Sequence, residues 1–389
     1  MPLPLAYNVR NVRVRWRLTL LAVGGIALVV AVVAVLMAMS QGFAAAMRGT
    51  GRPDNAMVVG RGTNSEAMST VNFDHRNSIL THPFIVRRPD GRLLASWEWV
   101  TVIPLPRKSD GRRTNVTFRA VTDMARNVRT GIHVVAGRYF TPGLDEVIVG
   151  RRIRDRVQGV ELGSTLRYRR KDYNVVGVFE SDGAAFESEI WGDFDVVGPR
   201  FGRRGGSSSL VVRMQTPADV AALDAWIRAQ PAMPLRAIPE DRYYEDQAGG
   251  VAKTITFLAG LVAGVMGVGA VFGAMNTMYG IVATRTREIG TLRALGFSRR
   301  AVLVSFVLES SLLAIAGGVL GCLLAVPLHG YSTSTANLQS FSEVAFAFRI
   351  TPAIVVSSLV FALVMGLLGG LLPALRAARL PIAAAVREA

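Results

Sequence analysis

Hydrophobic and polar positions are distributed very unevenly along this chain. Four long apolar runs stand apart from one extended stretch of short alternations. Residues 18–39 and 352–375 contain no charge, 254–284 is likewise uncharged over 31 residues, and 301–328 carries a single charge at Glu309. About 20 apolar residues cross a bilayer core as a helix rising ~1.5 Å per residue. The pattern therefore predicts four transmembrane helices, at 18–39, 254–283, 301–328 and 352–375. The second run exceeds what a span needs, which suggests a helix projecting as a stalk.

Between the first two runs, at 40–253, the pattern changes to that of a soluble mixed fold. Apolar alternation rich in β-branched and aromatic residues marks strands at 97–103, 115–121, 146–149, 165–168 and 173–179. Pro89-Asp90-Gly91, Ser109-Asp110-Gly111, Pro142-Gly143 and Ser181-Asp182-Gly183 mark turns. A short amphipathic helix is predicted at 151–157. Another opens at Thr216, with Pro217 in its first turn and Asp219 at its positive end, and runs to Ala229. The glycine- and serine-rich stretch 201–209 reads as a flexible loop and a break between two lobes. The fold class is thus membrane α-helical, four transmembrane helices with a large α+β extracytoplasmic domain between helices 1 and 2.

Charge supplies the orientation. Segments 1–17, 284–300 and 376–389 hold four, five and three arginines, against only Glu288 and Glu388. Short basic loops favour the cytoplasmic side, while long domains translocate largely regardless of charge. Both termini and the 284–300 segment are therefore expected in the cytoplasm, and the loop 329–351 outside with the α+β domain. The formal net charge of +16 does not point to nucleic acid. Most of it lies in those flanks, and the 40–253 segment has 31 basic residues against 24 acidic ones spread along its length. The first run is longer than the ~7–15 residues of a signal-peptide core, so an uncleaved signal anchor is expected. The single cysteine, Cys322, lies in the third run and excludes an intrachain disulfide.

Candidate chemistry is sparse. The chain has no Gly-x-x-x-x-Gly-Lys-Ser/Thr loop, so any ATP that drives it is bound by a partner subunit, and no cofactor of its own is expected. Asp74, His75 and His82 match no zinc spacing, so no metal is expected. No Gly-x-Ser-x-Gly or His-Glu-x-x-His motif occurs, and no catalytic set is visible. The acidic pairs Glu240-Asp241 and Glu245-Asp246 read as a solvated start of the second membrane helix. Glu309 sits eight residues into an apolar run, roughly 12 Å from its start at ~1.5 Å per residue. Near that interface it can pair with an arginine of 285–300, and a buried ionisable group of this kind is a functional candidate. Small residues spaced by four, Gly260/Gly264 and Gly269/Gly273, allow close helix approach, either within the chain or at a dimer seam.

The most informative stretch is Met275 to Arg300, where an apolar run gives way to a short, basic, helical segment that turns back into the membrane. Its residues MNTM (275–278) and TRTREIGTLRALG (284–296) resemble the second-helix exit and coupling segment of the four-helix ABC transporter permeases of the MacB/FtsX/LolC-E type. FVLESSLLAIAGGVLG (306–321) is similar to their third helix, including its glutamate. GGLLPALRAARLPIAAAVRE (369–388) resembles their C-terminal signature. The segment 8–17 with Leu18-Thr19-Leu20-Leu21 and Gly24-Gly25-Ile26 is similar to their entry helix, and GRYF (137–140), DEVIVG (145–150) and YNVVGV (173–178) resemble the periplasmic core domain.

The resemblance implies a multi-pass permease subunit of the cell inner membrane, without enzymatic activity of its own. It implies two copies bound to ABC ATPase subunits and a possible periplasmic adaptor. In contrast to the macrolide exporters, no fused ATPase is expected ahead of the first helix, and the ATPase is expected as a separate chain. Arg285, Arg287, Glu288 and Arg293 would pair with its surface, and Leu292 and Leu295 would fill its groove. The expected work is export or extrusion of a lipophilic, peptide or lipoprotein-like cargo. The alternative is a non-transporting, FtsX-like regulator that activates a periplasmic cell-wall hydrolase.

Overall fold

The structure, a computed structural model, describes residues 16–129, 131–201, 205–336 and 342–380. The arginines expected to form the basic flank at 1–15, and those beyond 380, lie outside the described residues. Six longer helices organise the chain: α1 (Trp16–Arg48), α2 (Pro217–Arg228), α3 (Glu240–Thr284), α4 (Thr286–Ala294), α5 (Arg299–Ala325) and α6 (Pro352–Arg379). Among them α1, α3, α5 and α6 are long and apolar enough to cross a membrane. Contacts divide the chain into two units. One is helical, taking the chain up to Gln41, Lys253–Tyr331 and from Phe348 on. The other is α+β, taking Gly42–Ala252 and Ser332–Ala347.

In the helical unit, glycine provides the close approaches. A Cβ on Gly317 would lie 2.9 Å from Ile26, and one on Gly321 would lie 2.6 Å from the Ala27 carbonyl, so α5 rests directly on α1. Likewise a Cβ on Gly366 would meet Ala314 at 2.3 Å, and one on Gly370 would meet the Ser310 hydroxyl at 2.1 Å, which joins α6 to α5. Helix α3 is packed differently. Gly260, Gly264, Gly269 and Gly273 have nothing within 4 Å of a built Cβ. Among the described residues these glycines make no close helix approach of the kind that Gly317 and Gly366 make. They lie along a helix whose Phe257, Leu261, Val265, Val268 and Phe272 are also exposed. At ~1.5 Å per residue the 45 residues of α3 extend about 67 Å, roughly twice a bilayer core.

The α+β unit is built on one ten-stranded sheet, in the order β12-β1-β11-β3-β4-β9-β6-β8-β5, with β7 also paired to β8. Its strands are β1 (Asn55–Gly60), β3 (Ala95–Pro106), β4 (Arg113–Val121), β5 (His133–Gly137), β6 (Glu146–Gly150), β7 (Thr165–Tyr168), β8 (Lys171–Glu180), β9 (Glu189–Asp193), β11 (Ser209–Arg213) and β12 (Leu235–Pro239). Two apolar cores lie against it. One gathers β1, β11, β12 and α2 around Val58, Leu210, Leu223 and Ile227. The other gathers β4, β6, β8 and β9 around Phe118, Val147, Tyr173 and Ile190. Trp97 on β3 packs against both. Helix α2 starts as its residues demand: the Asp219 carboxylate accepts from the Thr216 backbone N–H at 2.7 Å.

Three expectations need correction. The 201–209 stretch is not a flexible loop along its described part. Gly206–Ser207 forms a short strand, β10, paired with β2 (Val71–Asn72), and Ser207, Ser208 and Ser209 are fully buried. Buried serines satisfy backbone donors here: the Ser208 hydroxyl accepts from the Val100 N–H at 3.1 Å. The 329–351 loop is not simply a connection. It contains a hairpin, β13 (Ser332–Ala336) and β14 (Glu343–Ala347), that belongs to the α+β unit. Phe346 on that hairpin is buried edge-on against Phe43, with ring centroids 5.6 Å apart. Gly42 makes the approach possible, since a Cβ there would lie 2.1 Å from the Ala347 carbonyl. Finally, Glu240 is not solvated. It is fully buried, because α3 begins inside the α+β unit rather than at a membrane surface.

Candidate coupling segment and buried charge cluster

Helix α3 ends where Arg285 leaves helical geometry (φ −115°, ψ 13°), and α4 begins one residue later. Its far end closes through Gly296, whose φ of +95° only glycine adopts without cost. The Gly296 N–H donates to the Arg293 carbonyl and the Phe297 N–H to the Leu292 carbonyl, both at 3.2 Å, a Schellman closure. Ser298 then caps α5, its hydroxyl accepting from the Ala301 N–H at 3.2 Å. Gly296 and Ser298 thus make the turn that returns the chain into α5. The inner face of α4 buries Ile289 against Met278, Ile281, Val302 and Phe306.

The six candidate coupling residues separate into two sets. Arg285 turns inward: its Nη1 donates to Glu309 at 2.8 Å and its Nε to Glu288 at 2.9 Å, with its guanidinium 4.9 Å from the Phe306 ring centre. Both Arg285 and Glu309 are buried, so this arginine holds α4 to α5 and is not open to a partner. Arg293 is half-buried, its Nη1 reaching the Ala378 carbonyl of α6 at 3.4 Å. Glu288 is half-exposed, and partial burial together with the neighbouring Glu309 charge raises its carboxyl above the usual range. Leu292 is half-buried, whereas Arg287 is exposed and Leu295 is 73% exposed. The outward face of α4 is therefore Arg287, Thr291 and Leu295, continued by Arg299 and Arg300.

A second constellation escaped the sequence reading. Inside the α+β unit, Arg119 on β4 donates from Nε and Nη2 to Glu189 on β9 at 2.7 and 2.9 Å. Its Nη1 serves both Glu66 at 2.7 Å and Glu98 at 2.8 Å. Arg129 bonds Glu98 at 2.5 Å and Glu240 at 2.8 Å, and Glu240 also accepts from Asn55 at 2.7 Å. All six charged groups are buried. Glu98 lies between two guanidiniums, which hold its carboxyl below the usual value against the cost of burial. For Glu66 burial outweighs the attraction of Arg119 and Arg129, the neighbouring Glu98 charge adds to it, and its carboxyl is raised. The signal for this cluster was an isolated charge in an otherwise apolar strand, as in Trp97-Glu98-Trp99 and Phe118-Arg119-Ala120. Its partners are far apart in the chain, so no local spacing discloses them. Among the described residues no group of three His, Cys, Asp or Glu is placed to hold a metal ion.

Four membrane-length helices with an α+β domain inserted after the first define a multi-pass membrane protein. The MacB-like periplasmic core domain matches residues 19–230 and the FtsX-like permease C-terminal domain matches residues 260–382, so the chain belongs to the MacB/FtsX-like permease family. Relatives include an ABC transporter permease of Methanocaldococcus jannaschii, 26% identical over 57% of this chain and 56% of that protein. The macrolide export ATP-binding/permease protein MacB of Neisseria gonorrhoeae is 24% identical over 77% of this chain and 49% of its own length. The ABC transporter permease YknZ of Bacillus subtilis is 25% identical over 70% of both chains. The chain spans about half the length of the first two of these relatives. Solved structures similar to it include the extracellular domain of YknZ from Gram-positive bacteria, at a TM-score of 0.36 and 14% identity over 47% of this chain and 99% of that one. The periplasmic region of MacB from Actinobacillus actinomycetemcomitans matches at a TM-score of 0.38 and 12% identity over 50% and 92%.

Proposed function

We propose that this chain is the permease subunit of an ABC transporter whose ATPase is a separate chain. The ATPase docks on the outward face of α4, and nucleotide-driven movement of α4 passes along α3 to the α+β domain. That domain lies in the periplasm, both termini lie in the cytoplasm, and the work done is extrusion of a lipophilic, peptide or lipoprotein-like cargo with a periplasmic adaptor. The observation that carries this reading is the build of α4. It is a short amphipathic helix between two membrane helices, locked to α5 by the buried Arg285–Glu309 pair, with Arg287 and Leu295 left outward. A rigid helix with an exposed cation and an exposed leucine suits a groove on a partner. A second permease copy packs along α3, where Gly260, Gly264, Gly269 and Gly273 leave a shallow apolar surface.

The test is co-purification and ATPase stimulation with a candidate ABC ATPase subunit, sought first among Walker A proteins encoded by neighbouring genes. Arg287→Glu with Leu295→Ala removes surface contacts without touching the core and should weaken ATPase binding by at least about tenfold, ~1.4 kcal/mol. Undiminished binding and stimulation in that double variant would sink the assignment of α4. Capture of a cell-wall hydrolase, with no adaptor and no exported cargo, would replace export by regulation.

A further inference from the structure

Three pieces of chain connect the α+β unit to the membrane-length helices: the end of α1, the start of α3, and the β13–β14 hairpin between α5 and α6. All three meet on one short segment, residues 184–189, which is buried throughout. Two residues past the end of α1, the Thr50 hydroxyl accepts the Ala185 N–H at 2.8 Å while donating back to the Ala46 carbonyl of that helix at 2.8 Å. From α3, the Tyr244 ring meets Phe186 edge-on with centroids 5.5 Å apart. From the hairpin, the Ala345 N–H donates to the Ser188 hydroxyl at 2.9 Å.

The segment is itself held rigidly to the sheet. The Glu187 carboxylate accepts from the Ser181 and Gly183 N–H groups at 2.9 and 2.8 Å and pairs with Arg152 at 3.2 Å. Arg152 in turn donates to the Ala345 carbonyl at 2.6 Å. Gly150 lies so close beneath that a Cβ would come within 2.2 Å of the Glu187 carbonyl. Glu189 continues into β9 and the Arg119 cluster. A segment with no slack, touched by every connection, cannot let one of them move without straining the others.

We propose that residues 184–189 form a mechanical node that makes the three connections move as one within the α+β domain. The assignment of a transport role to that motion rests on the permease reading; the node itself does not. Each link is specific: a hydroxyl from one connection, a ring from another, a backbone N–H from the third.

Hydrogen exchange of the full-length chain in detergent micelles tests it, with no ATPase present. Ser188→Ala leaves the Ala345 N–H without its acceptor, which should speed exchange at 343–347 by about three- to tenfold. The node requires a similar rise at 42–50 and 240–250, with α2 unchanged. Ser334→Ala, which removes a hydroxyl bonded to Glu343 within the hairpin and to Arg156 outside 184–189, should act at the hairpin and 151–156 without spreading to 42–50 or 240–250. The proposal is overturned if Ser188→Ala acts only at 343–347, if Ser334→Ala spreads equally, or if α2 also accelerates. Should Ser188→Ala not fold, Phe186→Leu cuts the Tyr244 link and is read at the same three places. In a second arm with the ATPase bound, the complex carrying Ser188→Ala should still hydrolyse ATP through its ATPase subunit yet lose the nucleotide-dependent exchange change at 42–50 and 240–250. If wild type shows no such change, the permease reading fails while the first arm still decides the node.

Discussion

Arg119 and Arg129 confront four buried glutamates, so charge within this cluster cannot balance with every carboxyl ionised. Glu66 and Glu98 divide the consequences. The Glu66 carboxyl is raised by burial, so its contribution to stability is full below the unfolded glutamate value, about 4.3, and is lost as pH rises from there through its folded value. The Glu98 carboxyl is held down by Arg129 and Arg119, so its contribution is present above about 4.3 and is lost as pH falls through its folded value. Glu66→Gln, which imitates the protonated form, should therefore gain on wild type as pH rises from about 4 toward neutrality. Glu98→Gln should lose about 1.5–3 kcal/mol at neutral pH, because Arg119 and Arg129 each lose one charged acceptor while keeping Glu189 and Glu240. Denaturation followed by Trp191 fluorescence reports both, since its indole N–H donates to Glu189 within the cluster; equal losses in the two variants would refute the division. The Arg285–Glu309 pair permits a parallel test. Arg285→Met should cost about 3–5 kcal/mol, while Arg285→Met with Glu309→Leu should recover most of it, as apolar replacements of buried pairs do. A double variant no better than the single would show that Arg285 acts mainly through Glu288 and Phe306.

Among the elements, helix packing depends on which glycines have neighbours. Gly366 faces Ala314 at a distance that leaves no room for a side chain, whereas Gly264 faces open space. Gly366→Val should overpack the α5–α6 contact and cost about 1–3 kcal/mol or more. Gly264→Val should leave the isolated chain as stable as wild type but weaken self-association, read by crosslinking or sedimentation in detergent. A Gly264→Val protein that self-associates normally would remove the dimer seam from α3. The four spans and strands β3, β4, β6, β7 and β8 are legible because periodicity and turn residues are local signals, whereas β1, β5, β9, β11 and β12 carry no alternation that marks them. The end of α4 and the start of α5 are legible too, in Gly296 and Ser298. What spacing cannot state is which way a residue faces. Arg285 and Arg287 are two apart and equally basic, yet one is buried against Glu309 and the other is exposed. The hairpin at 332–347 was read as a plain loop because its serines and threonines carry no apolar pattern of their own; its order comes from Phe43, Arg107 and Ser188 far away in the chain.

At the scale of the whole molecule, the α+β unit is not one continuous stretch of chain. It needs Ser332–Ala347, which is synthesised only after α5, so the domain is incomplete until three membrane-length helices have been made. The hairpin supplies the Ala345–Ser188 hydrogen bond, the Arg152 bond to the Ala345 carbonyl, the Arg107–Glu343 ion pair and the Phe346–Phe43 contact. One buried and one partly buried hydrogen bond at about 1 kcal/mol each and one buried aromatic side chain at ~2 kcal/mol total roughly 4 kcal/mol, with the partly exposed ion pair adding little. Replacing 332–347 in the full chain by a Gly/Ser linker of equal length should therefore leave the helical unit folded and destabilise the α+β unit alone. For a unit of about 200 residues, ~2–4 °C per kcal/mol puts the expected fall near 10 °C. Calorimetry of the purified chain, with a mid-sheet tryptophan such as Trp191 as a second probe of the α+β transition, measures it. An α+β transition within about 2 °C of wild type would mean that the hairpin merely rests on a domain already complete without it, and the helical transition should not move in either case.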